Sequence, residues 1–521
     1  MTPSVRATLA DLGTEHSDLL VIGGGITGAG IARDAALRGF RVALAEARDF
    51  GSGTSSRSSR LIHGGLRYLE HGHVHLVLEA LRERAVLRRL APHLVQPLSF
   101  VLPFFQSDRV PGWKARLGLT LYDFLAGWGN VRRHQTLGKR ALLELEPLLR
   151  EPGLTGGAVY YDAQCDDARL TLAVVRAAAE AGARVANYTR VTSLLFEGDR
   201  VVGARLRDEL SGTEAEHRCR LVVNASGPWG DVIRRLEDPA AAPLLRLTKG
   251  SHLMVPQARI GNRHAIIFTS PLDRRVMFIL PWEQWTYIGT TDTDDAGDPD
   301  AVSADQSDLI YLLRSANSIY PGARLTEDDV VASWAGLRPL LAADPHSSPA
   351  QIPREHRIVK GSRGMLTIAG GKLTTFRVMA RDLVDRAARE LGAHRADGRA
   401  LSRSRPLPGG EAAVTETFRP QGLELGLSDS TVSHLLKRYG GETPALFALC
   451  RQRAELRRPL HPDHPSIAAQ VIFARQREFA CTEDDVLVRR IHLSTETRDH
   501  GAAARETVST LLAEALDARS G

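Results

Sequence analysis

Gly23, Gly25 and Gly28 stand in the spacing G-x-G-x-x-G, directly behind the apolar run Leu19, Leu20, Val21, Ile22 and at the head of an alanine-rich stretch. Glycines so placed allow a tight turn and let backbone amides at the positive end of a helix approach a pyrophosphate. Glu46 follows about twenty residues on, at the end of a second apolar run, where a carboxylate holds the hydroxyls of a ribose. The competing reading of Glu46 is an exposed strand end without a ligand. A second glycine turn, Gly370-Gly371, precedes Lys372-Leu373-Thr374-Thr375 and opens a helical pattern. Its free amides and partial positive charge would stabilise negative charge developing above them.

Gly51 to Arg60 (GSGTSSRSSR) has the composition of a linker, but it runs straight into Leu61-Ile62-His63-Gly64-Gly65-Leu66-Arg67-Tyr68, which mixes apolar and functional side chains. Hydroxyls and amides there, Thr54, Ser55, Ser58 and Ser59 among them, suit a pyrophosphate and a flavin ring. The tract His71-Gly72-His73-Val74-His75 has the look of a metal site, yet on a helix only positions 71 and 75 share a face. No Asp or Cys nearby completes a ligand set, so no metal is expected.

These residues need a scaffold, and the pattern supplies one. Asp18 to Glu46 reads as strand, helix, strand. Val74 to Leu90 and Leu170 to Ala181 read as helices, with short strands following over 184–195 and 201–206. Residues 247–345 carry short β-rich runs, at 265–268, 276–280 and 286–290, between Pro, Gly and Asp turns, which predicts a largely antiparallel sheet forming one wall of a substrate site. Met365 to Ala369 is a strand and Thr374 to Leu391 a helix. Pro406-Leu407-Pro408-Gly409-Gly410 breaks the pattern, placing a domain boundary near 405 before a helical C-terminal stretch. Within that stretch Thr482-Glu483-Asp484-Asp485 opens one helix in the manner of a capping box.

A chain of 521 residues is too long for one core, so two or three domains are expected. The four cysteines fit no CxxC or finger spacing and read as thiols in a reducing, cytosolic compartment. The N-terminus lacks the features of a secretory signal, and no run approaches the roughly eighteen apolar residues of a membrane span. A net charge of +6 favours anionic partners. The basic residues are arginines apart from six lysines, and they spread over the whole length, so nucleic acid is not an expected partner.

Taken in order, IGGGITGAGIARDAALRG, TSSRSSRLIHGGLRYLE, NASGPW, TKGSH, IGTTDTD, GLRPL, GGKLTTFR and FACTEDDVLVRRIHL resemble the FAD-dependent glycerol-3-phosphate dehydrogenases over about residues 18 to 500. Thr27 stands where that family often has Asn, Arg60 where Lys is usual and Ser226 where Thr is common; none of these removes a group the reaction needs. The resemblance implies an α/β fold: a Rossmann-like FAD-binding domain of the glutathione-reductase or amino-acid-oxidase type, an antiparallel β-rich substrate domain and an α-helical C-terminal domain. The boundaries drawn on it are 16–100, 150–245 and 355–400 for FAD binding, 101–149 and 246–354 for the cap, and 406–521 for the helical domain.

On the same ground FAD is the expected cofactor, held by Gly23, Gly25, Gly28, Glu46, Thr54, Ser55, Ser58, Ser59, His63, Gly65, Leu66, Gly227, Trp229, Gly371, Lys372, Leu373 and Thr374. The reaction implied is oxidation of glycerol 3-phosphate to dihydroxyacetone phosphate by hydride transfer to flavin N5. Arg67, Tyr68, Arg338, Arg354 and Lys372 match the family's substrate pocket, and guanidinium forks suit a phosphate. His63 and His252 are both candidates for the base, with Arg338 stabilising the developing alkoxide.

The electron acceptor is expected to be membrane quinone, with O2, in an oxidase giving peroxide, as the alternative; an amino-acid or amine oxidase on the same fold is a further one. Trp113, Leu117, Leu121, Phe124, Leu125 and Trp128 recur at helical spacing behind Arg109, Lys114 and Arg116. That stripe either faces the core or lies in a lipid interface as a peripheral anchor at the cytoplasmic membrane face. The oligomeric state, a homodimer included, stays open.

Overall fold

The computed structural model describes residues 6–13, 16–70, 72–295, 297–342, 354–393, 398–411 and 415–517. Two sheets and a helical domain organise them. The first sheet runs in the order His356–Lys360, Leu366–Gly370, Glu214–Asn224, Ser17–Ile22, Val42–Ala45, Arg184–Ala186. Its four central pairings are parallel, and Ser17–Ile22 is buried at every residue, as a central strand covered on both faces must be. The helix Ile26–Leu37 packs between Asp167–Glu180 and Phe376–Glu390. Gly30 permits the second contact, because a Cβ there would stand 2.8 Å from the Phe376 ring.

The second sheet has ten strands, and every described pairing in it is antiparallel except that between Ala265–Thr269 and Val95–Phe105. Leu245–Pro256 carries Trp285–Gly289 on one edge and Ala332–Leu341 on the other. The boundaries drawn at residues 100 and 150 do not follow this sheet. Val95–Phe105 runs unbroken across residue 100 and pairs along its length with Leu154–Cys165, so both strands belong to the second sheet. A continuous ladder holds the two together; neither can join the dinucleotide fold alone.

The C-terminal domain has its own core around Leu435, Phe447, Val471, Phe473, Leu487 and Leu511. The predicted helix start is present: Thr482 N–H donates to Asp485 Oδ2 at 2.9 Å, and Asp485 N–H returns to Thr482 Oγ1 at 3.3 Å. The break at 406–410 is not a loose spacer. Leu407 to Gly410 are buried, Leu407 N–H donates to Leu90 O at 2.9 Å, and Gly441 N–H donates to Gly409 O at 2.8 Å.

Charged pairs close the seam between this domain and the first. Arg169 meets Glu478 at 2.6 Å, Arg176 Nη1 meets Glu442 at 2.6 Å, and Asp49 accepts from both Arg489 and Arg490. All but Arg489 are among the buried polar residues. No described helix is long and apolar enough to cross a membrane.

Candidate functional site

A cavity of about 500 Å³ opens between the two sheets. At one end lies the first glycine turn. Gly23 adopts φ +106° and donates to Ala45 O at 2.8 Å; a Cβ there would meet Ala225 O at 2.7 Å. At Gly28 a Cβ would fall 1.9 Å from Gly23 O, so the helix closes onto the turn only without a side chain. Glu46 is half-buried on the rim, and its carboxylate is fixed by Gly24 N–H at 2.6 Å and Arg48 N–H at 2.9 Å. Burial raises its pKa. Glu46 therefore lines a site rather than ending an exposed strand.

The Ser/Thr run is structured by long-range bonds. Ser55 Oγ accepts from Ile26 N–H at 2.9 Å, at the start of the dinucleotide helix. Thr54 donates to Leu337 O at 2.6 Å, and Ser58 to Asp167 at 2.7 Å. Ser59 Oγ is 2.9 Å from His252 Nε2. Gly227, at φ +58°, and Trp229 line the same cavity, with Trp229 Nε1 donating to Asp300 at 2.9 Å.

The opposite end carries the cations. Lys372 Nζ is buried without a hydrogen-bond partner among the described residues and sits 4.5 Å from the Tyr68 ring centroid. Burial, helped by Arg354, pulls its pKa down to about 8, against Glu79 and Asp162. Arg338 is fixed by Asp292 at 3.0 Å and by Thr290 Oγ1 at 2.8 Å. Its pKa is lowered to about 10, by burial first, with Arg354 and Arg275 adding to it and Asp292 opposing. Gly250 makes room for it, since a Cβ there would stand 2.2 Å from Arg338 Nη2.

Both candidate bases are neutral imidazoles. Burial lowers the His63 pKa to about 4 and the His252 pKa to about 3, with Lys372 adding to the first and Arg338 to the second. His63 is bracketed by Thr374, whose hydroxyl accepts from His63 N–H at 3.2 Å. Gly64 N–H next to it donates to Tyr122 Oη at 2.9 Å, and Tyr122 in turn donates to Asp162 at 2.7 Å.

Of the residues expected from sequence, Gly23, Gly25, Glu46, Thr54, Ser55, Ser58, Ser59, His63, Gly65, Leu66, Tyr68, Gly227, Trp229, His252, Arg338, Arg354, Gly371, Lys372, Leu373 and Thr374 all line this one cavity. Gly28 supports it from behind. The Arg67 side chain and His71 lie outside the described residues. No group of three or more His, Cys, Asp or Glu suited to a metal occurs among the described residues.

Sequence reasoning missed Arg275, Phe278, Thr290 and Asp292, which share the cavity wall. Alternation along the strand Val276–Trp282 was the available signal for Phe278, which faces the cavity with Val276, whereas Arg275 precedes the strand in the opposite parity and no local signal marks it.

A family model described as "FAD dependent oxidoreductase" matches residues 18–377, more than two thirds of the chain. The chain belongs to the FAD-dependent oxidoreductases. A second model, "C-terminal domain of alpha-glycerophosphate oxidase", matches residues 400–520 of this flavoprotein. The aerobic glycerol-3-phosphate dehydrogenase of Bacillus subtilis is 37% identical to it, over 92% of this chain and 88% of that one. Glycerol-3-phosphate dehydrogenase 2 of Mycobacterium tuberculosis is 40% identical, over 97% and 86%. Among solved structures, the glycerol-3-phosphate dehydrogenase of Bacillus halodurans complexed with FAD superimposes with a TM-score of 0.77 at 33% identity, covering 97% of this chain and 90% of that one. FAD is the cofactor, and the cradle agrees with it: two glycines, Gly23 and Gly28, where a side chain would strike backbone, a fixed carboxylate about twenty residues on, and a cavity whose lining also includes Lys372 and Arg338.

Proposed function

We propose that this flavoprotein oxidises glycerol 3-phosphate to dihydroxyacetone phosphate and passes the electrons to membrane quinone. The observation that carries the substrate is Lys372: a buried ammonium with no hydrogen-bond acceptor among the described residues, lining the same cavity as Arg338 and Arg354. A buried ammonium without a hydrogen-bonding partner costs free energy that an anionic ligand would recover. With Arg338 held by Asp292 and Arg354 close by, a dianionic phosphate answers the summed positive charge better than a single carboxylate. The relatives' names point to the same substrate.

Bound FAD supplies the acceptor for the hydride of C2. The chain's part is to hold C2 in place and to take the hydroxyl proton, which yields the ketone. His63 and His252 are unprotonated at neutral pH and able to accept that proton. Arg338, still cationic at neutral pH and locked by Asp292 and Thr290, faces the oxygen as negative charge grows on it.

Quinone as acceptor is supported by the surface helix Gly112–Ala126. Its apolar stripe points outward: Trp113 is 68% exposed, Leu117 62%, Phe124 80%, and Trp128 just beyond is fully exposed, with Lys114 and Arg116 beside them. An outward tryptophan-bearing stripe with basic neighbours suits an anionic lipid surface.

Anaerobic addition of glycerol 3-phosphate to the yellow protein tests the reading: flavin absorbance bleaches, and glycerol alone leaves it unchanged. Persistence of the yellow colour with glycerol 3-phosphate would overturn it. Reoxidation by a quinone analogue, with less than one peroxide formed per substrate in air, separates quinone from O2 as the acceptor.

A further inference from the structure

Every described residue lining the cavity comes from the first 374 positions, so the described residues of the helical C-terminal domain contribute nothing to it directly. One of its carboxylates nevertheless reaches the back of the site. Ser58 and Ser59 enter the cavity on a turn that ends at Arg60, whose φ of +54° is a conformation that a residue with a side chain adopts at a cost. Arg60 is 5% exposed and lies 4.6 Å from the Trp282 ring centroid and 4.8 Å from that of Tyr287. Asp167 and Glu496 flank its guanidinium at 3.8 Å each.

Glu496 is buried in the C-terminal domain and accepts from Trp282 Nε1 at 3.1 Å, Arg438 at 3.0 Å and His464 at 3.0 Å. It thus holds the Trp282 ring by a hydrogen bond and stands in ion-pair range of the guanidinium that lies beside the stacked Trp282 and Tyr287 rings. From Arg60 the connection continues forward: Arg60 N–H donates to Ser58 Oγ at 3.0 Å, and the adjacent Ser59 Oγ pairs with His252 Nε2 at 2.9 Å. The His252 ring is stacked on Trp334, with centroids 5.4 Å apart, and its Nδ1 has no partner. Ser59 is its one hydrogen-bonding hold among the described residues.

We propose that Glu496 is a positioning residue for His252: acting through Arg60, it keeps the Ser58–Ser59 turn in register, so that Ser59 fixes the orientation of the imidazole. The C-terminal domain thereby serves catalysis without touching substrate or cofactor. This inference rests on the reading of His252 as part of the catalytic machinery.

The test compares kcat and KM for glycerol 3-phosphate in the FAD-loaded full chain. Glu496→Gln and Arg60→Met are expected to lower kcat about tenfold, with KM within about twofold and flavin content unchanged. Arg60→Lys, which keeps the charge, is expected to restore most of the rate. In a Ser59→Ala background Glu496→Gln should add little, because the two act along one route. Equal losses from Glu496→Gln with and without Ser59, or an unchanged kcat in Glu496→Gln, would overturn the proposal. Should Glu496→Gln not fold, the Arg60 pair decides, and equal rates in Arg60→Met and Arg60→Lys would refute the coupling. His252→Asn separates the two layers: wild-type kcat there retires the role of His252 itself, whereas a slow His252→Asn beside a fast Glu496→Gln retires only the positioning.

Discussion

Lys372 Nζ stands 4.5 Å from the centre of the Tyr68 ring and meets no hydrogen-bond acceptor among the described residues. The aromatic face and the field of Glu79 and Asp162 compensate its charge only in part, since burial still lowers its pKa to about 8. Such a lysine is held ready for an anion from outside.

Replacing Lys372 with Met should therefore raise KM for glycerol 3-phosphate by the worth of a charge-assisted hydrogen bond, about 2 kcal/mol or roughly thirtyfold, with a smaller change in kcat. Its pKa is depressed to about 8, so the ammonium is present below that pH and discharged as pH rises through it. KM measured from pH 7 to 9 should climb above about 8 in the wild type and stay level in Lys372→Met. A parallel climb in both proteins would remove Lys372 from the binding site.

The histidines predict the acid side. A base must be unprotonated to act, and burial keeps His63 neutral down to about 4 and His252 down to about 3. The kcat profile at saturating substrate, which is free of the phosphate's own ionisation, should accordingly be flat from pH 7 to 5, with no inflection near the ordinary histidine value. His63→Asn and His252→Asn, compared at fixed pH, identify the base by a fall in kcat on the order of 10²–10⁴.

Gly28→Ala places a Cβ 1.9 Å from Gly23 O, a backbone atom that cannot step aside without opening the turn. The variant should purify with little bound flavin. Flavin released per chain on denaturation measures this, and full occupancy would contradict the cradle described above.

Asp49 predicts acid sensitivity of the domain seam. Burial alone would raise its pKa, but Arg490 and Arg489 prevail and hold it at about 2. The stabilisation is complete above the ordinary carboxylate pKa and is lost as pH falls toward 2. Asp49→Asn leaves two guanidinium groups short of a partner and should cost about 3–5 kcal/mol. Denaturant unfolding at pH 7 checks the magnitude; a midpoint equal to wild type would show that the pair does not stabilise the fold.

On the surface helix, Trp113→Ser with Leu117→Ser should weaken sedimentation with anionic lipid vesicles while activity with a soluble dye persists. Undiminished sedimentation would assign the exposed stripe another purpose.

The glycine turns and Glu46 were legible in the sequence because their constraint is local: the shape of a turn depends on residues a few positions apart. Pairings such as Ser59 with His252, 193 residues apart, leave no local trace. Arg275 escaped because it comes from a strand edge without a motif, whereas Arg338 sits in one. The ionic seam was hidden for another reason. Arg169, Arg438, Asp49 and Glu496 have the composition of surface residues, and only the folded chain shows Arg438 paired inside with Glu496, Arg169 with Glu478 and Asp49 with Arg490. The outward stripe of Gly112–Ala126 could be resolved from the alternative of a core helix only once its neighbours, the buried Leu119 and Tyr122, were seen to take the inner face.

Leu407 to Gly410 cross from one domain to the other under cover, hydrogen-bonded to both Leu90 and Gly441. A protease seeking a hinge is expected to find no accessible peptide within those four residues. With the buried ion pairs of the seam beside them, the last hundred or so residues are expected to act as a keystone rather than an appended module, and calorimetry should show one transition for both parts.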